Sequence, residues 1–587
     1  MSSGSHIHAK AWSKKHDTSR FIASLSGSAQ KQQLTLAVLK EACVDREDVD
    51  ASRVWFHTRT SMLEQVKAIP FLSIDIYPLH IEEHRLCLKH NQSWSLRFKT
   101  LLDFHQYFGP KIAIYFGWVE FYNTYLVLSV CISLLYFLLL PIIPYSRIIF
   151  VVVSSSLWTL FVSKWKSRNA ELEFEFKYHR VDEVDEKIQD AFVGEWMTDS
   201  VTKQRVYDTP GWKRMYKRCF ISIPIMTSMC LIVLFIATSL NALCDYVQIM
   251  FPECYGEDRV DEVMHVYCSI LFHGPGLLNV LSITIMDVLY MNIARQLTTF
   301  ENYRTEREAS NELMLKIIPF TLINAHASLL YLALYAQDME RLVHRLQDLM
   351  IVSQLINNVT QLLIPTIISK CCFWRIKAQH ALSPTGASSL ERVRKQKWQP
   401  VYDDTFRDFK EMITQYTFVT WYAVIYPQAA LFALCNNYIE VHTDTYKLLS
   451  NDGYQRPYSS NTRGIERWNR VLYIVTGIGV VLNCLFLGLF YLEESLRLEL
   501  STLEKVMVVV AYEHFVLMIC LLLHWSVPEV PHWIQAKRRV AILNHHSAHV
   551  ESMHESNALR IPLSSIFQKY KEKWHFAISS KKNKKEE

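Results

Sequence analysis

The chain has 587 residues, half of them hydrophobic and 13% aromatic, with 20% charged and a formal net charge of +5 at pH 7. A soluble chain of this length ordinarily divides into several domains, but here the apolar residues gather in runs of roughly 20, the length that crosses a bilayer. Mean hydropathy is only +0.06 because long charged segments separate the runs, and so modest a net charge points to no nucleic-acid partner.

Residues 1–30 are polar and lack the apolar core of a signal peptide. The first internal span is therefore expected to direct insertion. Residues 1–105 read as a small α/β cytosolic region, with a helix over 31–44 and a strand over the FLSIDIYPL segment at 71–79. The Asn91–Ser93 sequon falls in this region and is read as chance. Ten spans follow, near 118–140, 147–165, 219–243, 267–294, 315–336, 347–369, 407–426, 428–446, 470–492 and 505–525. The seventh and eighth form one weakly apolar stretch that Pro427 divides, a place for a tight turn. The predicted fold is an all-α polytopic membrane protein, with a ten-helix domain over 106–535 and a basic cytosolic tail over 536–587.

Loop charges are consistent with ten crossings. The segments 164–218 and 370–407 are rich in Lys and Arg, and the tail ends in Lys581, Lys582, Lys584 and Lys585. The loop holding Asp245, Glu253, Glu257, Asp258, Asp261 and Glu262 has Arg259 as its one basic residue. With both termini cytoplasmic, the basic loops fall inside and the acidic one outside. The thirteen cysteines lack zinc spacing and read as core residues. Cys244, Cys254 and Cys268 flank the acidic loop and are the three able to pair if it is extracellular or lumenal.

Ionisable residues inside a membrane cost roughly 2.5–3.5 kcal/mol each on insertion scales, so each demands a reason. Asp408 and Glu411 are three apart and Glu440 and Asp444 four apart, so each pair shares a helix face. At 1.5 Å per residue, Glu411 lies about 24 Å and Glu440 about 20 Å from Pro427, while Asp408 and Asp444 lie at about 28 Å and about 26 Å. In an antiparallel hairpin the four therefore share a level near the inner side of the bilayer. Unrelieved, their repulsion would force protonation. Two calcium ions would balance four carboxylates, and carboxylate oxygen is what calcium prefers. Asn357 and Gln361, four apart in the preceding span, add neutral amide oxygens. The rival readings are solvated helix ends for Asp408 and Asp444, proton-relay carboxylates, and ordinary interhelical hydrogen bonding for the two amides. Asp287 and Arg295 read as structural residues marking the cytoplasmic end of the fourth span, and His273, Glu513 and His514 as packing or cavity-lining groups.

Four segments carry a family resemblance. They are YFGPKIAIYFGWVEFYNTYL at 107–126, IMDVLYMNIARQLTTFENYRTE at 285–306, EMITQYTFVTWYAVIYPQAALFALCNNYIEVHTDTYK at 411–447 and WSVPEVP at 525–531. Together they resemble the anoctamin family, over about residues 105–545. The resemblance implies a ten-helix homodimer with a membrane-facing groove in each subunit. It also implies calcium ions held between the sixth, seventh and eighth helices, and activity as a calcium-activated anion channel, a phospholipid scramblase or both. It places the ligands at Asn357, Asp408, Glu411, Glu440 and Asp444. Gln361 stands where the family carries a glutamate, which implies weaker calcium binding. Ser163 and His524 stand where a further site would need acids, and Val352 where anion-conducting relatives carry a basic residue.

The expected function is therefore calcium-activated phospholipid scrambling, with no bond-breaking chemistry, in the plasma membrane or endoplasmic reticulum. A calcium-gated chloride or non-selective channel is the nearest alternative; a proton-coupled transporter and a membrane tether are more distant ones.

Overall fold

In a computed structural model the described residues are 101–176, 192–198, 205–251, 262–360, 405–450, 466–497 and 499–540, the backbones of four N-terminal strands, and a few single positions between these. The chain divides into two compact units, Met1–Val527 and Pro528–Glu587.

The N-terminal strands β1 (Thr18–Ser26), β2 (Asp45–Asp50), β3 (Arg53–Arg59) and β4 (Ser73–Pro78) form an antiparallel sheet in the order β2-β3-β1-β4. Ile22 of β1 sits opposite Trp55 on one side and Tyr77 on the other. β4 is the strand expected at 71–79; the helix expected at 31–44 lies outside the described residues. A short hairpin, β5 (Glu195–Thr198) and β6 (Arg205–Asp208), follows further along the chain.

Helix α1 (Leu101–Phe108) meets α2 (Pro110–Leu139) at Gly109, whose φ of 94° is open to glycine and strained for other residues. Pro110 then opens α2, where its missing N–H costs nothing. The remaining helices are α3 (Ser146–Glu175), α4 (Gly211–Met250), α5 (Glu262–Glu301), α6 (Glu306–Ala336), α7 (Met339–Asn358), α8 (Thr405–Trp421), α9 (Ala429–Leu449), α10 (Arg467–Leu496) and α11 (Thr502–Ser526). Thr305, Asp338 and Ser501 cap α6, α7 and α11 by accepting a backbone N–H from the first turn, as short oxygen side chains do at helix starts.

A described helix overlaps each of the ten expected spans, and seven of these are long and apolar enough to cross a membrane: α2, α3, α4, the Gly274–Glu301 part of α5, α6, α10 and α11. The protein is a helical membrane protein. The three that do not qualify, α7, α8 and α9, are those carrying the amide and carboxylate residues. For α8 the reason is packing. Fourteen of its seventeen residues are buried, against α2, α6, α7, α9 and α10, so its surroundings are protein rather than lipid. By contrast α4 and α11 turn apolar residues outward: Phe235 is 72% and Met507 66% exposed.

An aromatic core fixes α8. Trp158 and Phe161 of α3, Tyr122 of α2 and Tyr416 of α8 pack ring to ring, with Tyr416 5.3 Å from Trp158. Tyr416 also shares a 2.7 Å hydrogen bond with Thr476 of α10, and the Trp421 indole donates to Val475 O at 2.8 Å. A second cluster joins α4, α5 and α6 around Tyr290 and Phe320, stacked 3.8 Å apart.

Candidate cation site

The 422–428 turn reverses the chain between α8 and α9. The Tyr426 N–H closes it onto Tyr422 O at 2.8 Å. The turn is pinned by Asn483 of α10, which accepts the Val424 N–H at 3.0 Å, and by Ser133 of α2, whose hydroxyl donates to Pro427 O at 3.1 Å. Helix α7 runs antiparallel to α8. Gln347 donates to Tyr426 OH at 3.1 Å near the turn, and Asn357 donates to Glu411 Oε1 at 2.9 Å at the far end.

Asp408, Glu411, Glu440 and Asp444 are 5%, 8%, 1% and 3% exposed. Solvated helix ends are thereby excluded. Asp408, Glu411 and Asp444 all lie close enough to Glu440 to act on it electrostatically. The hairpin therefore gathers all four carboxylates, and Asn357 joins them through Glu411. Gln361 lies outside the described residues.

Several of these oxygens are turned to donors of the chain itself. Tyr115 of α2 donates to Asp444 Oδ2 at 2.6 Å, and Tyr402, just before α8, donates to Asp408 Oδ2. Lys447, three residues beyond Asp444 and 4% exposed, pairs its ammonium with Asp444 Oδ1. Two of the cluster's carboxylate oxygens, Glu440 Oε2 and Asp444 Oδ1, are buried without a hydrogen-bond partner among the described residues, and of the two Asp444 Oδ1 has the Lys447 ion pair. Among the same residues, no three His, Cys, Asp or Glu side chains stand arranged as a ready metal cage.

Lys447, Tyr115 and Tyr402 were not anticipated, and Lys447 alters the expected balance. Four carboxylates and one ammonium carry a formal −3, so two calcium ions would overshoot neutrality while one would leave a single negative charge. The donor chemistry still fits: every donor is a hard oxygen, and one buried carboxylate oxygen lacks a partner. Lys447 must give way before Asp444 Oδ1 can bind a cation.

Around this cluster other polar residues find structural partners. Lys410, next to Glu411, pairs with Asp287 of α5, which also accepts from Thr321 of α6 at 3.1 Å. This ties α5, α6 and α8 together, a firmer role than the helix-end marker expected of Asp287. His514, 73% exposed, pairs with Glu513 at 2.9 Å. Ser163 and His524, the two positions at which the resemblance implies that a further site would need acids, share a 3.0 Å hydrogen bond. Cys244 is a free thiol accepting from Arg345 at 3.3 Å; the described side chains do not include Cys254 or Cys268.

Comparison with known proteins places this arrangement in a wider set. The family described as "Anoctamin: Calcium-activated chloride channel" matches residues 104–540, from α1 through α11 and beyond. Human anoctamin-10 is 28% identical over 471 residues, covering 79% of this chain and 69% of that protein. Human anoctamin-8 is 22% identical, covering 80% of this chain and 55% of its own length. Mouse anoctamin-7 is 22% identical over 70% of this chain and 55% of its own. The family match takes in the complete α7–α9 cluster and the helices that enclose it. The chain belongs to the anoctamin family.

Proposed function

We propose that the chain is a calcium-activated phospholipid scramblase. What supports this is the buried convergence of Asp408, Glu411, Glu440 and Asp444 with Asn357 on a third helix, leaving Glu440 Oε2 unpartnered among the described residues. Asn357, Asp408, Glu411, Glu440 and Asp444 would hold calcium, with Gln361 as a neutral oxygen donor four residues beyond Asn357. Bound calcium would supply the positive charge that the carboxylates lack.

The chain's own residues set two arrangements of α7. In one, Asn357 donates to Glu411, Lys447 and the two tyrosines engage Asp408 and Asp444, and Glu440 Oε2 is left without a hydrogen-bond partner among the described residues. In the other, α7 is drawn in by ligation through Asn357 and Gln361. Activation is a shift of population between the two.

The lipid route runs along α5 and α7. Both helices expose aliphatic side chains, Leu281, Ile285 and Val288 on one, Ile351 and Leu355 on the other, which suits acyl tails. Asp287, partly exposed between Ile285 and Val288, offers a polar group beside them for headgroups. Val352, aliphatic where the resemblance puts a basic residue in anion-conducting relatives, favours lipid over chloride. The proposal includes ten crossings, cytoplasmic termini, two copies per assembly and residence in the plasma membrane or endoplasmic reticulum. A calcium-gated channel is the second reading, favoured by the wording of the matched family's description.

The test is lipid exposure and ion flux measured side by side in reconstituted vesicles across a calcium titration. Calcium-dependent lipid exposure that Glu411→Gln and Glu440→Gln abolish or shift to more than roughly 10- to 100-fold higher calcium is expected, because each exchange removes a charge from a direct ligand and losing even an outer-shell partner costs that much. Ion flux without lipid exposure would select the channel, and indifference to calcium in every variant would remove the gating.

A further inference from the structure

A second polar level, built of amides, lies one helical turn from the carboxylates toward the 422–428 turn. Gln354 precedes Asn357 by three residues on α7, Gln415 follows Glu411 by four on α8, and Asn437 precedes Glu440 by three on α9. Because α8 runs antiparallel to its two neighbours, all three displacements point the same way. Asn123 of α2 completes the level, accepting from Asn437 Nδ2 at 2.8 Å.

These amides are deeply enclosed, with Gln415, Asn437 and Asn123 at 2%, 0% and 1% exposure. Yet Gln354 Oε1, both Oε1 and Nε2 of Gln415, Asn437 Oδ1 and Asn123 Nδ2 have no hydrogen-bond partner among the described residues. Several orphaned polar atoms at one level are costly in a dry interior, where such groups are nearly always satisfied.

The orphaned atoms are of both kinds. Three oxygens accept, while Gln415 Nε2 and Asn123 Nδ2 donate. Exchanging O and N in an amide does not change this mix: both Gln415 atoms are unpaired, and turning Asn123 and Asn437 together still leaves one donor and one acceptor. A bare cation satisfies oxygens but would face the N–H groups. Water satisfies both, making about three hydrogen bonds at a typical buried site.

We infer that a buried water cluster occupies this level, held by Gln354, Gln415, Asn437 and Asn123 and reaching Glu440 Oε2. It hydrates the bilayer-facing side of the carboxylate cluster, so that a cation at Glu440 keeps part of its water shell there. The water level itself is independent of the calcium proposal; only its effect on calcium affinity rests on that reading.

The experiment is a high-resolution cryo-electron microscopy map of the full chain in nanodiscs without calcium, paired with thermal unfolding of wild type and Gln415→Leu. Ordered density between the four amides is expected, reduced in Gln415→Leu, together with a lower Tm for the variant. Should Gln415→Leu not fold, Gln415→Met and the wild-type map decide. No density, with a higher Tm on removing the amide, would show the level to be dry and overturn the inference. So would density that strengthens when sodium is exchanged for thallium, which would mark a monovalent cation instead. Calcium titration calorimetry adds a separate arm: Gln415→Leu is expected to weaken binding about tenfold, as losing outer-shell support generally does. If the wild type binds no calcium while the water density is present, the proposed function fails and the water site stands.

Discussion

Replacing Lys447 by methionine is expected to tighten calcium binding while destabilising the calcium-free protein. The ammonium is 4% exposed and paired with Asp444 Oδ1, so it occupies by covalent tether the charge position that a cation must take. Divalent and monovalent charges roughly 7 Å apart would repel by about 5 kcal/mol at an effective dielectric of about 20. Lysine's long stem lets the ammonium swing aside and recover about half or more of that. The remaining ~1.5–2.5 kcal/mol corresponds to roughly 10- to 60-fold in Kd, at about 1.4 kcal/mol per decade. Removing the cation also leaves Asp444 beside three other carboxylates with Tyr115 as its remaining close donor. Breaking a buried pair from one side costs about 3–5 kcal/mol, so Tm without calcium should fall. Calcium should restore most of it, because a ligand that binds only the folded state stabilises it. Calorimetry in detergent or nanodiscs gives the Kd, and thermal unfolding with and without calcium gives the linked stability, neither depending on a transport assay. An unchanged or weaker affinity in Lys447→Met would refute the competition and make Lys447 a brace for Asp444.

Two further outcomes follow from the packing. Lys410→Met and Asp287→Asn should each cost about 2–3 kcal/mol, somewhat below the buried-pair range because Asp287 is partly exposed, while the double variant should cost clearly less than their sum; thermal unfolding of all four proteins checks it, and strict additivity would show no coupling between α5 and α8. Burial opposes ionisation of Asp338, but the Arg341 backbone N–H and guanidinium outweigh it and hold the carboxyl below its ordinary range. A carboxyl depressed in the folded state stabilises above its unfolded pKa and loses that contribution as pH falls through the folded value. Asp338→Asn, which keeps the cap but does not titrate, should therefore lose less Tm between pH 7 and pH 3 than the wild type, and equal losses would contradict this.

What was legible in advance follows the physics of each signal. Helices such as α4 and α11 announce themselves by length and apolarity, because most of their surface is turned outward, where only apolar side chains suit hydrocarbon. Helix α8 does not, because protein surrounds it and tolerates Asp408, Lys410 and Glu411; it had to be found from its paired acids and from Pro427. Counting residues from that proline placed Glu411 and Glu440 at one level, and both are buried within electrostatic reach of each other. Lys447 was readable as an i,i+3 neighbour of Asp444, yet spacing alone does not say whether a lysine near a helix end turns inward or to solvent. Tyr115 was beyond reach, lying 329 residues from its acceptor. The amide level was equally hidden, since Gln354, Gln415 and Asn437 become a set only when three helices are aligned. Asp287 was read as a marker of the helix end because its partner, Lys410, sits 123 residues away.

The enclosure of α8 has a consequence for how substitutions across this protein are to be interpreted. A helix with fourteen of seventeen residues out of solvent has little room to accept a new shape, so lesions along it will register first as lower yield and poorer assembly. Helix α7, with Ile351 and Leu355 facing outward, tolerates exchange on that side without disturbing the interior. Genetic variants on α8 should therefore present as loss of protein, and those on the outer face of α7 as altered behaviour of a normally abundant one.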